Sequence, residues 1–297
     1  MNRFLFFSLF ASSLFVLGAV PEAGAQGGEA AKARPDNGLR PTLESVYLAW
    51  KKGMDAGNLA LWEENTAFSR QIETRNRIVS QKLPFPQALF EDPVAAPSLG
   101  GLVSLGVLST GETATSTYFG RADFGTEPGM AISDNLLVLH FLREEGRWKF
   151  DTLRIVKIGQ DAELRLQIRN GDFSFLGGDE FQPAPALPPV PQPVEAPAYV
   201  AEAWVDATGY EVKVTVNGHL VGDFRNIKMT ELVMGGLRRG ENRVRIESRL
   251  LGGGSSPAKV EVGIYAAEDP AGEASRVFHF RPGADVAAVH EETFQSP

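Results

Sequence analysis

The chain of 297 residues contains no cysteine. This absence excludes disulfide bonds, thiolate metal sites and a cysteine nucleophile. It also excludes a lipoprotein-type N-terminus, because lipidation there requires a cysteine. An exported protein without cysteine is more typical of a bacterial periplasm than of the eukaryotic cell exterior, where disulfides are common.

Histidine and cofactor motifs are also scarce. The four histidines are scattered along the chain, so we expect no zinc site. The sequence has no nucleotide-binding loop, no paired-histidine metal motif and no Gly-x-Ser-x-Gly elbow. We therefore predict neither a cofactor nor a bound metal.

An excess of positive charge is missing as well. The formal net charge is −8, so the chain lacks the basic footprint of a nucleic-acid-binding protein. It also lacks a basic cluster that would hold it on an anionic membrane surface. Its 43% hydrophobic and 22% charged residues are ordinary for a globular protein, and its length suggests about two domains.

The first 25 residues have the three-part pattern of a secretory signal peptide. A positive start at Arg3 precedes an apolar run over 4–20, and Ala23-Gly-Ala25 follows Pro21. We expect cleavage after Ala25, a periplasmic or secreted protein, and no membrane attachment afterwards. The alternative is an uncleaved membrane anchor, since the run is about as long as the shortest spanning helix. Residues 26–40 have no periodicity and predict a disordered tail.

Proline is concentrated in one Pro-rich run, residues 182–198. Proline fixes φ and lacks an N–H donor, which excludes the run from helix interiors and sheet ladders. Its alternation with Ala and Val favours an extended, semi-rigid spacer of ~3 Å per residue. We interpret the run as a linker between domains at 41–181 and 199–297. A ligand for a PxxP-binding domain is the alternative, and we do not expect such domains outside the cell.

The first domain begins with helices. Thr42 is the expected N-cap of the first helix, with Glu44 in its first turn. Apolar residues at helical spacing predict one buried face; they are Leu43, Val46, Tyr47, Trp50 and Met54. Asp55-Ala-Gly-Asn58 ends this helix, and another is predicted over 69–81.

Strands are predicted over 102–108, 113–120, 135–143 and 147–158, with one more helix over 161–171. The strand over 135–143 is apolar on both faces, so we expect it to be covered on both sides. Helices followed by an antiparallel meander indicate the α+β class, with a curved sheet wrapped around the first helix.

Two short motifs carry a family resemblance. The first helix ends in Asp55-Ala-Gly-Asn58, and the last hairpin reads Gly146-Arg-Trp-Lys-Phe-Asp151. With helices followed by strands over 41–158, this resembles the NTF2-like (SnoaL-like) α+β cone. In that family the first helix commonly ends near "GD" and the hairpin reads "dG.Wk.d"; Gly57-Asn58 departs from the first pattern. The same cone hosts isomerases, dehydratases, binding proteins and subunits with no chemistry.

The resemblance implies a ligand pocket between the curved sheet and the helices. The residues that we predict to line it are Trp50, Trp62, Tyr118, Arg121, His140 and Trp148. Each has a structural alternative. Trp50 and Trp148 also fit core positions, and a lone His140 among apolar neighbours fits a core histidine.

Ketosteroid-isomerase-like members of this fold combine an acidic base with an oxyanion hole of a tyrosine and a carboxylic acid. The residues of this chain that have the corresponding side chains are Tyr118, Asp123, Asp134 and Asp151. No motif fixes these groups against one another, so we assign no catalytic residue. The polar segment over 75–82 is a hypothetical helix end over the pocket mouth.

From residue 199 the sequence is all-β. Alternating strands with turn signals at Asn217-Gly218 and 252–254 predict a small β-sandwich. The phrases over 216–222 and 237–244 resemble turns of galactose-binding-like and other accessory sandwiches of glycoside hydrolases. Asn242 is expected to cap its turn through its side chain. An exposed aromatic platform would suit a sugar, and its candidates are Trp204, Tyr210 and Tyr265.

These observations lead to three functional hypotheses. The leading one is an exported, non-enzymatic, two-domain protein that binds a small molecule in the cone pocket, or a glycan or protein on the sandwich. The alternative is an isomerase, dehydratase or hydrolase that uses the cone pocket. The third is a cell-envelope scaffold whose sandwich docks on polysaccharide or protein. Cone domains often pair through the open face of the sheet, so a homodimer is possible.

Overall fold

A computed structural model describes residues 33–91, 96–122, 133–158, 161–252, 258–283 and 286–297. Within these ranges it contains five α-helices and thirteen strands, and the strands form three antiparallel sheets. The predicted α+β class is confirmed. The predicted signal peptide, residues 26–32 of the predicted tail, and Asp123 lie outside the described residues.

The chain divides into two compact units. One, the α+β unit, contains residues 33–72 and 90–191 among those described; the other, the β-sandwich unit, contains 73–89 and 192–297. Among the described residues, the divisions fall between Ile72 and Glu73, between Leu89 and Phe90 and, within the Pro-rich run, between Pro191 and Gln192. The segment boundaries inferred from the sequence remain predictions.

The helices are α1 Arg40–Asp55, α2 Leu59–Asn65, α3 Phe68–Ser80, α4 Gln87–Glu91 and α5 Ala162–Arg169. The predictions that Thr42 caps α1 and that Glu44 lies in its first turn are both wrong, because the helix already begins at Arg40 and Leu39 stands at its N-cap. Asn58 separates α1 from α2 and caps α2 by accepting the Leu61 amide at 3.0 Å. No helix in the described ranges is both long and apolar enough to span a membrane.

The sheet of the α+β unit has the order β1-β2-β3-β4-β5. Its strands are β1 Arg34–Pro35, β2 Val103–Ser109, β3 Thr113–Arg121, β4 Asp134–Glu144 and β5 Arg147–Lys157. The sequence predicted a disordered tail up to residue 40, but β1 pairs with β2 and a short 3-10 helix spans Asn37–Leu39. The segment is ordered because its backbone groups form hydrogen bonds with β2. Composition alone does not reveal this pairing with a distant strand.

Both faces of β4 are covered, as predicted. On one side Phe141 packs against Phe150, whose ring contacts Trp50 of α1. On the other side Leu136 and Val138 belong to an apolar cluster with residues of α5 and of the 3-10 helices at 174–177 and 179–181. The segment before the Pro-rich run therefore packs back on the sheet.

Two four-stranded sheets pack face to face in the β-sandwich unit, with the orders β13-β10-β7-β8 and β12-β11-β6-β9. The strands are β6 Val200–Asp206, β7 Tyr210–Val216, β8 His219–Arg225, β9 Lys228–Leu232, β10 Glu241–Leu250, β11 Glu261–Ala267, β12 Ser275–Phe280 and β13 Val289–Gln295. The sequence did not reveal β9 and β13. Both are edge strands, and only Phe294 of β13 is buried, so the alternation of apolar residues that marks the other strands is weak.

Two turns of the sandwich have the conformations that the sequence predicts. Asn217 and Gly218 have φ values of 51° and 86°, as a tight hairpin between twisted strands requires. Asn242 is 2% exposed; its Oδ1 accepts the Arg238 amide at 2.9 Å and its Nδ2 donates to the Arg238 carbonyl at 3.1 Å. The predicted side-chain cap at Asn242 is confirmed.

The polar segment over 75–82 holds the second half of the Pro-rich run. The Asn76 side chain donates to the Gln192 carbonyl at 2.8 Å and accepts the Val194 amide at 3.0 Å. Arg75 donates to the Val194 carbonyl at 3.0 Å, and Lys82 donates to the Ala198 carbonyl at 3.3 Å. These bonds account for the polar character that had suggested a helix end over a pocket mouth.

Candidate functional site

An aromatic cluster fills the space between α1 and the sheet of the α+β unit. The Trp50 ring centroid lies 4.3 Å from that of Phe150 and 5.7 Å from that of Tyr47. Trp50 is 7% exposed, and Trp62 of α2 is 3% exposed. These two predicted pocket residues therefore contribute to the core in this conformation.

The remaining predicted pocket residues lie in different surroundings. Trp148 is half-buried on β5, and Arg121 is exposed at the end of β3, where it pairs with Asp134 at 3.6 Å. His140 alternates with Leu139 and Phe141 along β4, so it lies on the face of Val138, opposite to the face that Trp50 covers. The structure thus does not gather the six residues into one site.

His140 is electrically neutral at physiological pH. Burial lowers its pKa to about 4, with Arg154 and Arg70 acting in the same direction and Asp151 opposing them. Its neighbours in the strand register are Thr115 and Thr152. An imidazole with this pKa is a weak base, so it is poorly matched to general-base catalysis near pH 7.

Tyr118 is paired with Glu44, a carboxylate that the sequence analysis had assigned only to the start of the first helix. Its hydroxyl donates to Glu44 Oε1 at 3.1 Å and accepts from Ser116 at 3.0 Å, while Arg40 Nε donates to the same Oε1 at 2.8 Å. Burial raises the pKa of Tyr118 to about 12, so it stays protonated. The Arg40–Glu44 spacing of four residues is the only sequence signal for this cluster.

Two of the three acids named with Tyr118 as components of an oxyanion hole are engaged elsewhere, and the third, Asp123, lies outside the described residues. Asp134 pairs with Arg121, and Asp151 pairs with Arg70 of α3 at 3.1 Å. Both contacts are those of a structural ion pair across neighbouring elements. Among the described residues, the ionisable candidates are therefore not arranged as a shared acid–base site with Tyr118.

An open groove of about 450 Å³ lies in the α+β unit beside the turn between β4 and β5. Three large apolar side chains at this groove are 44–51% exposed: Phe68, Leu187 and Val190. The Glu144 carboxylate accepts the Phe68 amide at 3.0 Å and so satisfies the first turn of α3. This groove offers apolar surface, and one of its carboxylates, that of Glu144, is already used in holding α3.

The aromatic candidates of the sandwich give a more coherent site. Ala203, Val205 and Ile264 point into the core, so the residues that alternate with them face outward on the sheet β12-β11-β6-β9. We call this outward surface the Trp204 face. It consists of Glu202, Trp204, Thr230, Gly263, Tyr265 and His279.

Strand register places the two aromatic residues next to one glycine. Trp204 is directly opposite Gly263, and Tyr265 is two residues further along the same strand. The Tyr265 ring lies over the glycine, because a β-carbon at Gly263 would be 3.1 Å from Tyr265 Cε2. Trp204 and Tyr265 are both half-buried. The absence of a side chain at Gly263 thus leaves room for the Tyr265 ring next to Trp204 in the strand register.

Polar groups surround these rings. Thr230 lies opposite Trp204 on β9, and His279 lies opposite Gly263 on β12. His279 Nε2 is 2.8 Å from Glu261 Oε1, and Lys259 Nζ lies 5.9 Å from the Trp204 ring centroid. Aromatic surface beside hydrogen-bonding groups is the combination expected of a small-molecule or sugar subsite.

At one end of the Trp204 face, a buried carboxylate holds two lysines. Asp206 Oδ2 is 3.1 Å from Lys228 Nζ and 3.2 Å from Lys259 Nζ, and its side chain is 1% exposed. Oδ1 accepts the Thr208 hydroxyl at 2.6 Å. Burial opposes the ionisation of Asp206, but hydrogen bonds from Thr208, Lys228 and Lys259 outweigh it and lower its pKa to about 2. No local pattern in the sequence indicates this cluster.

Tyr210, the third aromatic candidate, belongs to β7 in the other sheet and packs against the edge of the sandwich core. The structure therefore brings together two of the three predicted platform residues. Comparison with known proteins adds no further guide: no family model, curated protein or solved structure matches the chain.

Proposed function

We propose that the protein is an exported, non-enzymatic binding protein and that its Trp204 face binds a glycan. The observation that carries the proposal is the juxtaposition of Trp204 and Tyr265 around Gly263. An aromatic ring packs well on the apolar C–H face of a sugar, and Thr230, His279 and Glu202 provide groups for its hydroxyls. The ligand class follows from this pairing of flat aromatic and polar surface.

Binding is favoured over catalysis by the α+β unit as well. The described acids Asp134 and Asp151 pair with Arg121 and Arg70, and Tyr118 donates to Glu44. These pairings support a structural role for the groups that an isomerase, dehydratase or hydrolase would need. In our proposal this unit, which has a five-stranded sheet with α1 packed on it, is an NTF2-like cone, and the Pro-rich run is the connection to the sandwich.

Export rests on the N-terminal sequence alone. Expression of the full chain in a bacterium, followed by fractionation and N-terminal sequencing, tests it: we expect a periplasmic or secreted protein that begins at Gln26. Recovery of the uncleaved chain in the membrane fraction would support the anchor alternative instead.

Retention of the mature full chain on insoluble polysaccharides tests glycan binding. We expect retention on at least one polymer, and we expect Trp204→Ala to reduce it by roughly tenfold or more, as for a central aromatic contact. Trp204→Phe should retain part of the binding. Trp148→Ala is the matched control, because Trp148 is a half-buried tryptophan in the α+β unit. Failure of every polymer to retain the wild-type chain would contradict the proposal.

A further inference from the structure

Two lysines beside Trp204, Lys228 and Lys259, are held by one buried carboxylate, that of Asp206. Both ammonium groups contact the same oxygen, Asp206 Oδ2. The distance between the two nitrogens is therefore at most the sum of these two contact distances. The carboxylate is fixed in turn by the Thr208 hydroxyl and by the Thr208 amide at 3.2 Å. Solvent-exposed lysines ordinarily lose side-chain entropy when they are held in this way. The arrangement thus places two ammonium groups beside each other before any ligand binds, with their charge balanced by the carboxylates of Asp206 and Glu261.

Donor capacity remains on this pair after the internal contacts are made. Each ammonium carries three N–H donors. Lys228 forms an ion pair with Asp206, and Lys259 forms ion pairs with Asp206 and with Glu261 Oε2 at 2.7 Å. The Lys228 side chain is 61% exposed and that of Lys259 is 39% exposed, so their remaining donors are accessible. They are suited to an anionic oxygen, whereas a neutral hydroxyl would use them less fully.

The cationic pair and the stacking ring lie close enough to serve one sugar residue. Lys259 Nζ lies 5.9 Å from the Trp204 ring centroid. In the strand register Asp206 and Lys228 are opposite each other, and Trp204 is two positions further along β6. Lys259 lies over part of the Trp204 ring. A hexuronic acid carries its carboxylate directly on the ring, so one residue can place its C–H face on the exposed part of Trp204 and its carboxylate at the lysines.

We propose that the ligand of the Trp204 face is an acidic polysaccharide built from uronic acids, bound with a carboxylate at Lys228 and Lys259. The inference rests on the proposed glycan binding and makes it specific. It assigns stacking to Trp204 and recognition of the acid to the lysines. Asp206 acts as a positioning residue, since it is buried beneath them.

Affinity electrophoresis and calorimetry of the full chain test this with two forms of one polymer, polygalacturonate and its fully methyl-esterified form. We expect the acidic form to bind roughly tenfold or more tightly than the ester, with a preference that falls as salt is raised. Lys228→Gln should remove that preference and leave binding of the ester unchanged. Lys213→Gln, an exposed lysine on the other sheet, is the control.

Each outcome separates the two levels of the proposal. If Trp204 is required for binding but both polymer forms bind equally, the uronate inference is wrong and glycan binding stands. If neither form binds but a neutral glycan binds through Trp204, the uronate inference is again wrong and glycan binding again stands. If no glycan binds at all, both are wrong. The thermal midpoint of each variant shows whether a loss reflects unfolding, and Asp206→Asn, which should weaken the acidic preference alone, provides a second variant.

Discussion

The hold of α3 on the Pro-rich run can be tested by replacing Asn76, which is 4% exposed. Its side-chain amide pairs with the peptide backbone on both sides of Pro193, as donor to the Gln192 carbonyl and as acceptor from the Val194 amide. Asn76→Ala removes both bonds. Val194 is also 4% exposed, so its N–H loses its partner in a place that water does not readily reach.

The expected cost follows from the number of groups left unpaired. A buried polar group without a partner costs about 1–3 kcal/mol, and the Val194 N–H becomes one here, whereas Gln192 is exposed and its carbonyl can bond to water. Alanine favours a helix interior over asparagine by roughly 0.5 kcal/mol, which offsets a small part. We therefore expect Asn76→Ala to lower the free energy of unfolding of the β-sandwich unit by about 1–3 kcal/mol.

Urea denaturation and amide hydrogen exchange measure this directly. The midpoint should fall, and the Val194 amide should exchange roughly tenfold faster or more. Asn76→Asp is informative because the introduced carboxylate still accepts from Val194 but cannot donate to Gln192. Its destabilisation should lessen at acid pH, where the group regains a proton. Gln81→Ala removes a bond within the helix, to the Arg77 carbonyl, and is the control.

The reasoning would be refuted by an Asn76→Ala variant with an unchanged midpoint and unchanged exchange at Val194. An equally large effect of Gln81→Ala on the midpoint and on Val194 exchange would also refute it. In either case the Pro-rich run would not depend on the amide of α3 for its place in the unit.

Two further predictions concern the α+β unit. Phe150 is 2% exposed and contacts three aromatic rings, so Phe150→Ala should cost about 3–5 kcal/mol by chemical denaturation, whereas Trp148→Ala should cost clearly less; equal costs would contradict this. Because folding lowers the pKa of His140 from 6.5 to about 4, its contribution is fully present above pH 6.5 and lost as pH falls toward 4. Stability should therefore drop by up to about 3 kcal/mol over that window, and less in His140→Gln. An identical drop in that variant would count against the assignment.

Local chemistry made much of the fold predictable. The apolar stripe of α1, the break at Asp55–Asn58 and the hairpin at Asn217-Gly218 each depend on residues close together in sequence, and each is confirmed. Edge strands are harder, because β9 and β13 owe their place to pairing with β6 and β10 rather than to their own pattern. The N-terminal strand at Arg34–Pro35 was missed for the same reason.

The candidate sites depended on register and on long-range partners. Trp204 and Tyr265 could be named as exposed aromatic candidates, but only strand register shows that they flank Gly263. Asp206 reads as an ordinary polar end of a strand until β9 and β11 bring Lys228 and Lys259 to it. Glu44 and Tyr118 are 74 residues apart in the chain, and no local pattern links them.

The contacts of the Pro-rich run also bear on how this gene could be recombined. Prolines give the run many carbonyls and few N–H groups, and the side chains that hold it are mostly donors: Thr113, Arg75, Asn76 and Lys82. The last three lie far upstream of the sandwich in sequence. A fragment cut at residue 199 would leave them behind, together with Ser80, which accepts the Gly235 amide at 2.8 Å. A single crossover at residue 199 would therefore transfer an incomplete unit. Residues 73–89 have to be transferred together with the sandwich strands.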